Sequence, residues 1–117
     1  MDDEALICLS IEMVLEAEGI SVIVAANGIQ GLKAARKNQP DLIITDYMMP
    51  KMDGVTMVRR LRAEAILAPT ILITAVPEAN LADATANLDI RYMEKPVRGP
   101  KLLSIVKELI PGLGYRT

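Results

Sequence analysis

Four groups in this sequence have the right types and positions to do chemistry: the Asp46 carboxylate, the acidic pair Asp2-Asp3, the Thr74 hydroxyl and the Lys95 amine. Asp46 is the pivot. It follows the run Leu42-Ile43-Ile44-Thr45 and precedes Tyr47-Met48-Met49-Pro50-Lys51-Met52, a turn ended by Asp53-Gly54. A short, almost wholly apolar run bounded by turn residues fits a strand covered on both faces. Asp46 then falls at a strand's carboxyl end, where open parallel sheets bind their ligands. A carboxylate there can act as a nucleophile toward phosphorus and give an acyl phosphate. Such a transfer asks the protein for positioning and charge neutralisation, commonly by Mg²⁺ and a lysine. Mg²⁺ takes oxygen ligands, typically one or two carboxylates with waters and phosphate oxygens. Asp3, Asp46 and a backbone carbonyl after Asp46 meet that need, while Lys95 can pair with the phosphate and Thr74 can hydrogen-bond it. Each has a bland explanation alone: an Asp after a strand is usually a cap or turn residue, and a terminal acidic pair is usually solvated. The shared placement of Asp46, Thr74 and Lys95 at strand ends makes phosphorylation of Asp46 the expected chemistry.

The elements that must position these groups alternate along the chain. Ala5 to Glu18 has helical periodicity, with Leu6, Leu9, Met13 and Ala17 as its stripe and Ile7, Ile11, Val14 and Leu15 widening it, so the helix is expected to pack on more than one partner. Gly19 is its expected stop. A β-branched strand follows at Ser21 to Ala26, then a helix from Gly28 to Asn38 facing inward through Ile29, Leu32 and Ala35. After the Asp46 strand, Gly54 to Ala65 reads as a helix with Val55, Val58 and Leu61 inward and Arg59, Arg60 and Arg62 toward solvent. Thr70 to Thr74 is a near-continuous apolar strand, Asn80 to Asn87 a weak helix, Ile90 to Glu94 a last strand and Lys101 to Leu109 a final helix. Strands alternating with helices imply βαβ units and a parallel sheet with helices on both faces, an α/β fold.

At 117 residues the chain is expected to form one domain, residues 1–110, with a flexible tail at 111–117. Aliphatic residues and Met dominate a 51% apolar fraction, and neither Phe nor Trp occurs. Thirteen basic residues against fifteen acidic ones leave a net charge of −2, with no basic run, so direct nucleic-acid binding is not expected. The single cysteine, Cys8, excludes an internal disulfide framework and is expected to be a small buried hydrophobe. No apolar run approaches a membrane span, and the expected location is cytoplasmic.

Asp2-Asp3-Glu4, the stretch Thr45 to Gly54, Thr74-Ala75 and Tyr92-Met93-Glu94-Lys95-Pro96 together resemble the receiver domain of two-component response regulators. The match runs in order from residue 2 to about residue 110. The resemblance implies a flavodoxin-like, doubly wound parallel sheet of order 2-1-3-4-5. It also implies that Asp46 accepts phosphate from a histidine kinase or phosphotransfer protein, with Asp3 on Mg²⁺ directly, Asp2 through water and Met48 through its carbonyl. Thr74 and Lys95 would hold phosphoryl oxygens, Lys95-Pro96 would be a cis peptide, and Tyr92 would switch rotamer with phosphorylation. The chain is expected to be a stand-alone receiver that catalyses at most its own phosphorylation and dephosphorylation and signals to a downstream protein not named by the sequence. Met48 and Val76 stand where many receivers carry polar groups that guide water, which suggests slow loss of phosphate.

The family has an apolar strand before its acidic pair, and here only Met1 stands there. A truncated start, a rearranged sheet and a sheet completed by a partner, including a homodimer, are the alternatives. The competing function is a pseudo-receiver, an interaction or dimerisation module that takes no phosphate. A haloacid-dehalogenase-like phosphatase needs a second acid two residues after the nucleophile, and that position is Met48.

Overall fold

The computed structural model describes residues 3–110, with the side chain of Asp3 outside that description. The expected tail at 111–117 and the Asp2 position also lie outside it. The element order is α1 (Asp3–Ala17), β1 (Val22–Ala25), α2 (Gly28–Asn38), β2 (Leu42–Asp46), α3 (Gly54–Ala63), β3 (Thr70–Thr74), α4 (Glu78–Thr85), β4 (Ile90–Glu94) and α5 (Gly99–Leu109). The four strands are all parallel, in the order β1-β2-β3-β4.

This is the expected α/β fold with the family's central strand left out of the described sheet. β1 and β2, which that strand would separate, are zipped together directly from Val22↔Leu42 to Ala25↔Thr45. Leaving both facing edges open would expose two rows of backbone donors and acceptors inside the sheet, so direct pairing is the satisfied solution. The consequence is a strictly sequential order. The three crossover helices cover one face, where Leu32, Ala35, Val58, Leu61 and Leu81 meet Ile23, Ile43 and Leu72. The other face is left to α1 and α5, whose Cys8, Ile11, Leu15, Leu102 and Val106 pack on Val22, Ile44, Ile71, Ile73 and Met93. Alternate residues of each strand supply the two cores, the period-two rule of a strand.

Two expectations are corrected. The stripe assigned to α1 faces outward: Leu6, Leu9 and Met13 are 45%, 50% and 64% exposed, and the buried face is Cys8, Ile11 and Leu15. α1 is apolar nearly all round, so periodicity alone could not choose its inner face. Arg62 is not on a solvated surface either. Its guanidinium donates to the carbonyls of Leu88 (2.8 Å) and Ile66 (2.9 Å) and to Thr70 Oγ1 (3.4 Å), stitching α3 to the starts of β3 and β4. Gly19 does stop α1, at φ +80°, with the Ile20 N–H returning to the Leu15 carbonyl at 2.9 Å.

Candidate functional site

Asp46 ends β2 at the carboxyl edge of the sheet, opposite Ile73 in the ladder. The last rung beyond it is Tyr47 N–H to the Ile73 carbonyl, 3.0 Å. The loop that follows is shaped by its final two residues. Asp53 caps α3, its Oδ1 accepting from Thr56 N–H at 2.8 Å and its Oδ2 from Thr56 Oγ1 at 3.1 Å. Gly54 allows the helix to press onto Asp46, because a Cβ there would lie 2.4 Å from the Asp46 carbonyl oxygen. The Asp53-Gly54 pair is thus the device that seats α3 against the carboxylate-bearing strand.

Lys95 follows β4, its backbone N–H bonded to the Thr74 carbonyl at 3.0 Å, and the Lys95-Pro96 peptide is cis as expected. Its Nζ lies 3.3 Å from Asp46 Oδ1 and 3.4 Å from Glu4 Oε1. Asp46 Oδ1 is shielded from solvent and accepts no aligned hydrogen bond, so its contact with Lys95 is electrostatic. Partial burial pulls the Lys95 ammonium pKa down, but Asp46 and Glu4 together outweigh it and leave it above the ordinary lysine value. Burial first, and then the neighbouring Asp46 carboxylate, push the Glu4 carboxyl above its usual range, against the pull of Lys95.

The structure therefore brings Asp46 and Lys95 together. Thr74 closes the adjacent strand and is buried, with its hydroxyl accepting the Val76 N–H at 3.0 Å. Tyr92 lies in β4 beside Leu72 and packs on the α2/α3 side, with a buried hydroxyl that has no hydrogen-bond partner. Met48 projects outward at 77% exposure. The metal roles expected of Asp2 and of the Asp3 side chain fall outside the described residues. Among the described residues no cluster of three or more potential metal-ligating side chains forms. The donors at Asp46 are nonetheless all oxygen, and one lacks a hydrogen bond, which suits a hard divalent cation.

Glu4 is the site residue that the sequence reading missed. Helical spacing puts Glu4 on one face with Cys8, Ile11 and Leu15, but it is the structure that selects this face as the buried side of α1, which, followed back one turn, ends at Glu4. Beneath it a cleft of about 150 Å³ runs between the start of α1 and the ends of β1 and β2, floored by Cys8, Ile44 and Ile73.

Comparison with known proteins agrees with this geometry. A family model described as "Response regulator receiver domain" matches residues 1–107. The alkaline phosphatase synthesis transcriptional regulatory protein PhoP of Bacillus subtilis is 34% identical over 113 residues, covering 94% of this chain and 46% of that protein. The chain thus spans about half the length of the curated relatives it matches. The receiver domain of a Francisella response regulator superposes with a TM-score of 0.73 at 30% identity, covering 92% of this chain and 90% of that one. The receiver domain of a Pseudomonas aeruginosa sensor histidine kinase, whose structure has a magnesium ion coordinated in the active site cleft, gives 0.68 at 26% identity, covering 93% and 92%.

Proposed function

The chain belongs to the response regulator receiver domain family, and on that footing we propose that it is a phosphorylation switch whose acceptor is Asp46. The observation that carries the reading is the approach of the Lys95 ammonium to within 3.3 Å of a carboxylate oxygen that accepts no hydrogen bond. One Asp46 oxygen attacks the phosphorus of a phosphohistidine on a sensor kinase or phosphotransfer protein. The P–O bond forms as the P–N bond breaks, and the imidazole leaves carrying a proton. Lys95 offsets the charge on the transferred phosphoryl oxygens. Thr74 would donate its hydroxyl proton to a phosphoryl oxygen from the adjacent strand end, with its oxygen still accepting the Val76 N–H. Asp46, with the Asp3 carboxylate and the Met48 carbonyl assigned by the motif and Asp2 acting through water, would hold Mg²⁺. Bound there, the cation would supply further neutralising charge.

The phosphoryl group carries about −1.5 to −2 at neutral pH by analogy with other phosphorylated side chains, where the Asp46 carboxylate carried a single negative charge. The site thus gains roughly one negative charge at most, and that gain biases a conformational equilibrium. Tyr92, with its unpartnered buried hydroxyl, would report that bias to a downstream protein. We take residues 1–110 as the switching unit and the cytoplasm as its location. No helix among the described residues is long and apolar enough to cross a membrane.

The test is labelling of the chain by phosphoramidate with Mg²⁺, followed by intact mass. One phosphoryl group is expected on the wild type and none on Asp46→Ala or in excess chelator. Label that persists in Asp46→Ala, or a folded wild type that takes none, defeats the reading. The second outcome would leave the interaction module, which the outward apolar side of α1 favours.

A further inference from the structure

Resting on Asp46 as the acceptor, we propose that Glu4 is an internal stand-in for phosphate: its carboxylate occupies Lys95 until Asp46 is phosphorylated, when the phosphoryl group takes Lys95 and releases the first turn of α1. Glu4 is not among the carboxylates that the family motif nominates. It reaches the site because it continues the buried face of α1, and its side chain is only 16% exposed at the rim.

The charges at the site determine how it responds. One ammonium is shared by two carboxylates, with Nζ to oxygen distances of 3.3 and 3.4 Å. Two carboxylates that share one ammonium raise each other's energy, and the ammonium between them is what makes the arrangement tolerable. A phosphoryl group on Asp46 brings more negative charge and three further acceptor oxygens to the same ammonium. It competes for Lys95 and repels Glu4 at once, so both changes drive the Glu4 carboxylate outward.

The Glu4–Lys95 pair also ties the start of α1 to the β4–α5 junction. Next to that tie, Leu6 and Ile7 face Gly99, Pro100 and Leu103 across an apolar groove of about 440 Å³ between α1 and α5. Loss of the tie changes the wall of that groove, so phosphate at Asp46 is reported there as well as at β4.

The test compares four full-length chains with phosphoramidate and Mg²⁺: wild type, Glu4→Gln, Lys95→Met and the double variant. Glu4→Gln is expected to label about two- to fivefold faster than wild type, the range set by one partly exposed charge contact. That gain should vanish when Lys95 is already Met. Slower labelling in Glu4→Gln would overturn the proposal and make Glu4 a helper, for example a cation ligand. An equal gain in the Lys95→Met background would overturn it too. Amide hydrogen exchange on unlabelled protein reads the tie without phosphate: residues 5–9 should exchange faster in Lys95→Met, where Glu4 faces Asp46 with no ammonium between them, than in wild type. Unchanged protection there removes the tether. A wild type that takes no label defeats the acceptor reading, while the exchange data still decide whether Glu4 holds α1.

Discussion

The two edges of the sheet use their cations in opposite ways. At the amino edge Arg62 spends its donors on Leu88, Ile66 and Thr70, and Arg36 grips Glu64 with two nitrogens. Each cation has a settled set of acceptors. At the carboxyl edge Lys95 is divided between Asp46 and Glu4, and an Asp46 oxygen accepts no hydrogen bond. The first edge is built from satisfied contacts, and the second leaves charge incompletely satisfied. The contrast sets a fixed frame at one edge of this sheet against an unsatisfied carboxylate at the other.

The strongest way to break the contrast is to collapse the carboxyl edge. Gly54→Ala forces a methyl toward the Asp46 carbonyl and against Leu72. It should cost about 3 kcal/mol of stability in urea unfolding, at the upper end for overpacking, and should lower labelling of Asp46. A neutral Gly54→Ala would mean that α3 is not seated on the site. Next in size is Arg62→Ala, which strands two carbonyls and should cost about 2 kcal/mol. Lys95→Ala, at a side chain 42% exposed, should change stability by less than about 1 kcal/mol. Equal losses at Arg62 and Lys95 would erase the distinction between the edges.

The smallest effect is one of sign. Glu64 is held below the ordinary carboxyl value, first by its hydrogen bonds from Arg36. Its contribution is present above about pH 4.5 and is lost as pH falls through its folded-state value. Glu4 is raised, so its contribution is present below the unfolded value and is lost as pH rises through the folded one. On acidification in chelator, the fall in Tm should therefore be larger in Glu4→Gln than in wild type and smaller in Arg36→Met. The reverse order would remove the electrostatic account of both edges.

The strands around Asp46 were legible because they are short apolar runs ended by turn residues: β2, β3 and β4 begin and end where the sequence places them. Asp46 and Lys95 were legible as strand-end groups. The inner face of α1 was not, since Leu6, Leu9 and Met13 are as apolar as Ile11 and Leu15, and the deciding residue is the small Cys8. Arg62 was misread because its long stem reaches backbone carbonyls that become neighbours only after β3 and β4 pair. Glu4 was hidden for a related reason: an acidic residue in a first helical turn already has an adequate local explanation in the helix dipole.

The sequential strand order has a kinetic corollary. The stretch from β1 through β3 carries its own covering helices, so that half can assemble from contacts close in sequence, which form quickly. The opposite half waits for two terminal segments, α1 and α5, to find each other across nearly the whole polypeptide. Truncations or fusions at either end should therefore act mainly on the late step, speeding unfolding while leaving the early nucleus and the refolding rate largely untouched.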